Sequence, residues 1–112
     1  MVVQLDELSD AEVDAIFQAL ADATRRDIVA RVIEREQSVS SLAARYAMSF
    51  AAVQKHVAVL ERASLVSKTR QGREQIVRAD PTAIGGARAL LEHYERLWRH
   101  RAARIDAILA EH

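Results

Sequence analysis

The sequence predicts a mainly helical domain that carries one small β-hairpin, and three observations predict it. Apolar residues recur at helical spacing behind Ser or Asp caps in successive stretches. Two β-prone runs flank Gln71-Gly72. From Ile84 through Leu91 and Trp98 to Ile105, an apolar residue returns at every seventh position.

Each element follows from local chemistry. Ser9-Asp10-Ala11-Glu12 has the form of a capping box, and Val13, Ile16, Phe17 and Leu20 follow at i, i+3, i+4 and i+7, placing a first helix over 10–21. Asp22 caps a second helix through 34, with Ile28, Val29, Val32 and Ile33 on its buried side and Arg25, Arg26, Arg31 and Arg35 on its wet side. Glu34-Arg35-Glu36-Gln37-Ser38 breaks the pattern as a polar loop. Ser40 caps a short third helix holding Leu42, Ala43 and Tyr46, and only Ala47-Met48 separates it from Ser49, the cap of a fourth helix that ends at Arg62. Two short helices joined this tightly make a helix-turn-helix. In the fourth helix Val53, Val57 and Leu60 form one apolar stripe, leaving Phe50, Ala51, Gln54, Lys55 and Ala58 outward.

After Ala63-Ser64, the runs Leu65–Arg70 and Arg73–Arg78 read as a hairpin turning at Gln71-Gly72, because glycine takes positive φ without a Cβ penalty; its tip carries Arg70, Gln71 and Arg73. Asp80-Pro81 starts the last helix, with Asp as cap and Pro at the first helical position, where its missing N–H costs nothing. The Gly85-Gly86 pair is expected to fray that first turn. Beyond it the seven-residue stripe is joined by Ala87, Tyr94 and Ile108, with Leu90, Leu97 and Leu109 alongside. Thirty residues of helix span about 45 Å, more than a core this small covers. A second chain is the expected cover, with Phe17 and Leu20 contributing from the first helix.

The 112 residues make one domain, divided into 1–22 and 81–112 as dimerisation helices, 40–62 as helix-turn-helix and 64–79 as hairpin. Cysteine is absent, which removes disulfides, thiolate metal sites and a thiol nucleophile. No apolar run approaches the ~18 residues of a membrane span, and the acidic start does not resemble a signal peptide, so a cytoplasmic location is expected. Net charge is zero, yet the charges are segregated. Residues 1–22 hold six acids and no Lys or Arg, whereas between Ser40 and Arg78 seven bases face only Glu61 and Glu74. A local basic footprint serves phosphate binding even on a neutral protein.

The order helix, helix, helix-turn-helix, hairpin, long helix is that of a winged helix-turn-helix with a long C-terminal dimerisation helix, the hairpin being the wing. On these residues the chain resembles the arsenic-repressor (ArsR-type) family of bacterial transcriptional regulators. The resemblance is carried by Leu20-Ala21-Asp22-Ala23-Thr24-Arg25-Arg26-Asp27-Ile28, Val39-Ser40-Ser41-Leu42-Ala43, Met48-Ser49 and Val53-Gln54-Lys55-His56-Val57. It continues through Leu60-Glu61-Arg62-Ala63-Ser64-Leu65-Val66 and Arg70-Gln71-Gly72-Arg73. Three positions depart from the usual pattern: Ala23 stands where the family has Pro, Gln54 where it has Ser, and Ser64 where it has Gly. Ser64 is expected to be strained if that position is left-handed.

The resemblance implies a homodimeric repressor on an inverted-repeat operator, with the 49–62 helix in the major groove of double-stranded DNA and the wing on the adjacent backbone or minor groove. Gln54, able to bond bidentately to adenine, and the small Ala51 and Ala52 are expected to read bases. Lys55, Arg70 and Arg73 are expected on phosphates, with Ser49, Gln71 and His56 at the same surface. Phe17, Leu20, Leu91, Tyr94, Trp98 and Ile105 form the expected dimer interface. The family's metal sites need Cys on the third helix or an Asp-x-His with His-x-x-Glu or His-x-x-His between long helices. The last helix offers Glu92-His93, Glu95 and His100, which match neither spacing, so no metal or other cofactor is expected. No nucleophile–base pair, carboxylate pair or phosphate-cradling Gly loop can be assembled, which argues against an enzyme. Two alternatives stay open: a protein-interaction module on the same scaffold without DNA, and a metal- or small-molecule-responsive repressor whose ligand would lie against Tyr94 and Trp98.

Overall fold

The computed structural model describes residues 8–111, with the order α1 (Asp10–Leu20), α2 (Ala23–Glu34), β1 (Gln37–Ser38), α3 (Val39–Ala43), α4 (Phe50–Arg62), β2 (Val66–Gln71), β3 (Glu74–Ala79) and α5 (Pro81–Ala110). Residues 1–7 of the expected dimerisation segment lie outside the described residues.

The caps locate most helix starts. Ser9 and Glu12 form a reciprocal capping box, Ser9 N–H donating to Glu12 Oε1 at 2.9 Å and Glu12 N–H to Ser9 Oγ at 3.1 Å. Asp22 accepts from the Arg25 amide, Ser49 from that of Ala52 and Asp80 from that of Thr82. The Arg25 amide bond to Asp22 holds that carboxyl below its ordinary value. The third helix departs from expectation. Ser38, not Ser40, caps it, accepting from Ser41 N–H at 3.0 Å, and Tyr46 lies beyond its end. The cause is tertiary: Ser38 closes a two-residue strand that pairs antiparallel with β3, Gln37 opposite Val77 and Ser38 opposite Ile76. The expected polar loop is thus the third strand of a sheet ordered β1-β3-β2, and the wing is a hairpin with a short extra edge.

The core is drawn from every helix and from the two long strands. Ile16 and Ala19 of α1, Ile28, Val29 and Val32 of α2, Leu42 of α3, and Val53, Val57 and Leu60 of α4 are buried, together with Leu65, Val66 and Val77. Fully burying each of the larger aliphatic side chains contributes about 1.5–3 kcal/mol. Ile33, expected inside, is 58% exposed, because only Ile28, Val29 and Val32 of α2 reach the core.

α4 ends in a Schellman motif. Leu65 N–H donates to Leu60 O and Ser64 N–H to Glu61 O, both at 3.0 Å, and Ser64 adopts φ +58°. The strain expected at Ser64 is therefore present, about 1–2 kcal/mol for an L-residue in the left-handed region. The hairpin that follows turns over Gly72-Arg73, one residue later than expected, with Gln71 opposite Glu74. Gly72 at φ +62° and Arg73 at negative φ fit a type II′ turn, whose twist matches the strands.

α5 runs unbroken through Gly85-Gly86, so the expected fraying does not occur; Gly86 leaves room for the side chain of Leu8. Only Ala83 and Ala87 of α5 are buried, and α1 packs on α2, α4 and α5. The molecule measures 69 × 29 × 23 Å, because the distal half of α5 extends past the other described elements.

Candidate nucleic-acid interface and the apolar face of the long helix

Two surfaces stand out. The first lies between the front of α4 and the wing, where Ser40, Phe50, Gln54, Arg70, Arg73 and Gln75 line a polar cleft of about 210 Å³. With Val53, Val57 and Leu60 all fully buried, the helical period turns Phe50, Gln54 and Lys55 away from the core, and each is exposed. The hairpin brings Arg70 and Arg73 to the same cleft from a position sixteen or more residues later. Arg70 Nε donates to Gly72 O at 3.3 Å, which draws its side chain over the turn. Gln75 also lines the cleft, and its Oε1 is buried without a hydrogen-bond partner among the described residues.

The basic stretch divides when its partners are placed. Arg78 bonds Glu36 at 2.5 Å and also Thr69, and Lys68 lies 3.9 Å from Glu61, so both are partly neutralised within the chain. Among the described residues, Lys55, Arg70 and Arg73 have no ion-pair partner. Ser49, Ala51 and Gln71 are exposed and Ala52 is half-buried, and none of the four is among the residues lining the cleft.

His56 departs from the expected surface set. Its Nδ1 lies 3.3 Å from Arg25 Nη1 and 3.9 Å from Asp22 Oδ2, which turns it toward the start of α2 and leaves its side chain 22% exposed. Arg25, expected on the wet side, is half-buried there, with Nε donating to Ala19 O at 2.8 Å and Nη2 to Gln18 O at 3.1 Å. Arg26 donates to Leu20 O at 2.8 Å. The last turn of α1 leaves carbonyls without intrahelical donors, and these two guanidinium groups supply them. Behind the helix-turn-helix, Tyr46 O–H donates to Asp27 Oδ2 at 2.5 Å and Arg31 Nε donates to the same oxygen at 2.8 Å. The Tyr46 bond, then that of Arg31, lowers the Asp27 carboxyl, while burial and then Asp27 raise the Tyr46 hydroxyl. Nothing in the periodicity of one helix signals these contacts between separate segments.

The second surface is apolar. Leu20, Ile84, Ala87, Leu91, Tyr94 and Trp98 line an open groove of about 640 Å³ between α1 and α5. Trp98 is 68% exposed, and Leu91, Tyr94 and Ile105 are exposed on the same helix. Phe17 lies outside the groove, half-buried against the core. Charged pairs rim the face, Arg88 with Glu92 and Arg99 with Glu95. Among the described residues, no group of three or more His, Cys, Asp or Glu side chains could hold a metal ion, and no helix is long and apolar enough to cross a membrane.

A polar front on a tightly capped helix beside a basic hairpin, above three supporting helices, defines the class: a winged helix-turn-helix DNA-binding protein. The helix-turn-helix domain family matches residues 20–69. The HTH-type transcriptional regulator Rv2034 of Mycobacterium tuberculosis is 37% identical over 81 residues, which cover 72% of this chain and 76% of that protein. The solved structure of an ArsR-like transcriptional regulator from Rhodococcus sp. RHA1 superposes with TM-score 0.76 at 36% identity, covering 88% of this chain and 92% of its own. In fold alone, the chain is similar to the homodimeric winged helix-turn-helix DNA-binding domain Mb0332 from Mycobacterium bovis, with TM-score 0.62, 23% identity and coverage of 80% and 91%. The chain belongs to the ArsR-type helix-turn-helix transcriptional regulators.

Proposed function

We propose that this regulator is a cytoplasmic homodimeric repressor that occupies an inverted-repeat operator by physical exclusion. The observation that carries the DNA half of the reading is the convergence of Gln54, Arg70 and Arg73 on one cleft. With α4 in a major groove, Gln54 bonds an adenine edge, and Ala51 and Ala52 allow close approach of the helix backbone. Lys55, Arg70 and Arg73 take phosphates, with Ser49 and Gln71 beside them. His56, engaged by Arg25, holds α4 against α2 instead of reaching DNA.

The dimer half rests on the uncovered stripe of α5. A second copy that buries Leu91, Tyr94, Trp98 and Ile105 against its own α5 and α1 turns two recognition helices toward one duplex, and two-fold symmetry of the protein requires it in the operator. Release by a metal is not part of the proposal, because the chain has no cysteine and its histidines lack the family's spacing. A gel-shift titration on the chain's own upstream DNA at two salt concentrations tests the reading. Binding that weakens steeply with salt supports it; no binding at low salt favours an interaction module that has lost DNA.

A further inference from the structure

The exposed aromatic at the tip of α4 has no work in the fold. Phe50 is the first residue of the helix and is 46% exposed, whereas Val53, Val57 and Leu60 on the same helix are fully buried. The apolar staple that fixes entry into a helix joins the residue before the cap to the fourth helical residue. Met48 and Val53 hold those positions, Met48 packed on the core and Val53 within it. Phe50 is therefore not needed to anchor α4, and leaving its ring half in water forgoes burial energy that packing would have returned. The ring stands instead in the cleft with Gln54, one helical turn further on, and with Arg70 and Arg73.

We propose that Phe50 reads a thymine in each half-site by packing its ring on the C5-methyl group. The proposal rests on the reading that α4 enters a major groove. Of the base-pair edges exposed there, thymine alone offers an apolar group, and an apolar side chain is its fitting partner. A single exposed apolar ring beside the guanidinium groups of Arg70 and Arg73, which outnumber the one carboxylate of the cleft, Glu74, suits a polyanion with an isolated methyl better than it suits the broad apolar surface of a protein partner. Four residues of helix separate Phe50 from Gln54 by about 6 Å, which is one to two base-pair steps of about 3.4 Å. The thymine therefore lies within two base pairs of the adenine bonded by Gln54.

The test uses the duplex that the wild-type chain enriches from a random library, with each thymine replaced singly by deoxyuracil, which removes the methyl and nothing else. Wild-type affinity falls about fourfold at one thymine per half-site, the value of one buried methyl. That position lies within two base pairs of the one at which Gln54→Ala loses its preference. Phe50→Ala stays folded, binds the parent duplex at least about fourfold more weakly, ignores that uracil, and loses less on random DNA than on the parent duplex; Phe50→Leu keeps part of the discrimination. Indifference of the wild-type chain to every uracil overturns the proposal, as does an equal uracil penalty in Phe50→Ala or an equal loss on selected and random duplexes. Failure to enrich or bind any duplex at low salt overturns the regulator reading itself and is distinguishable from all of these.

Discussion

α4 and α5 carry the same kind of apolar stripe and meet opposite fates. In α4, Val53, Val57 and Leu60 are wholly buried by the rest of the chain, so the opposite face is free to be polar and to meet a ligand. In α5, Leu91, Tyr94 and Trp98 remain uncovered, although α1 lies alongside the start of the helix. One helix is finished by its own chain, and its proposed function lies on the face the core does not use. The other is left exposed among the described residues, and its proposed function lies on the apolar face itself. Exposure of the stripe separates the two cases, because periodicity is common to both.

The contrast can be broken by substitution, beginning with the largest effect. Leu60→Ala empties a site in the core and should cost about 2–5 kcal/mol of folding stability, read as a drop in thermal midpoint. Leu91→Glu places a charge on the exposed stripe, so it should leave the folded chain intact while costing the self-association about 2–4 kcal/mol, seen as a lighter species in sedimentation. If Leu91→Glu unfolded the chain and Leu60→Ala changed only association, the assignment of the two faces would be reversed. On the outer face of α4, Gln54→Ala should cost about 1–3 kcal/mol on the operator and relax preference at one position. Arg73→Ala should weaken all sequences alike and flatten the salt dependence. Equal losses for Gln54→Ala on operator and random DNA would remove its reading role.

Smaller effects sharpen how α4 is held. Ser64→Gly removes a side chain from a left-handed position and should stabilise the chain by about 0.5–1 kcal/mol, the relief of strain exceeding the entropy of glycine. Asp22 and Asp27, which anchor α2 to its surroundings, are both held below the ordinary value of 3.8. Their contribution is fully present above that value and lost as pH falls through the lower folded value, because protonation then favours the unfolded chain. Asp27→Asn should make the acid limb of an unfolding titration shallower; an unchanged limb would show that the Tyr46 and Arg31 bonds add no stability.

Local chemistry was legible and contacts across the chain were not. Ser9, Asp22, Ser49 and Asp80 act within three residues of themselves, and each caps the helix expected of it. Ser38 and Ser40 are equally good caps in isolation, and pairing of Ser38 with Ile76 decides between them. A two-residue strand is too short to alternate, so β1 left no pattern to read. The Arg25–His56 contact joins residues 31 apart, so no local pattern announces it. Phe50 was legible on the outward face of its helix, one turn from Gln54, but only the cleft placed it beside the wing.

On the proposed function, DNA completes one surface of this chain and a second copy completes the other. The mass of the complex on the enriched duplex, measured by light scattering, tests both at once. Two chains per duplex for the wild type, with that complex lost on Leu91→Glu, is the expected result. One chain per duplex at undiminished affinity, in wild type and Leu91→Glu alike, would contradict it.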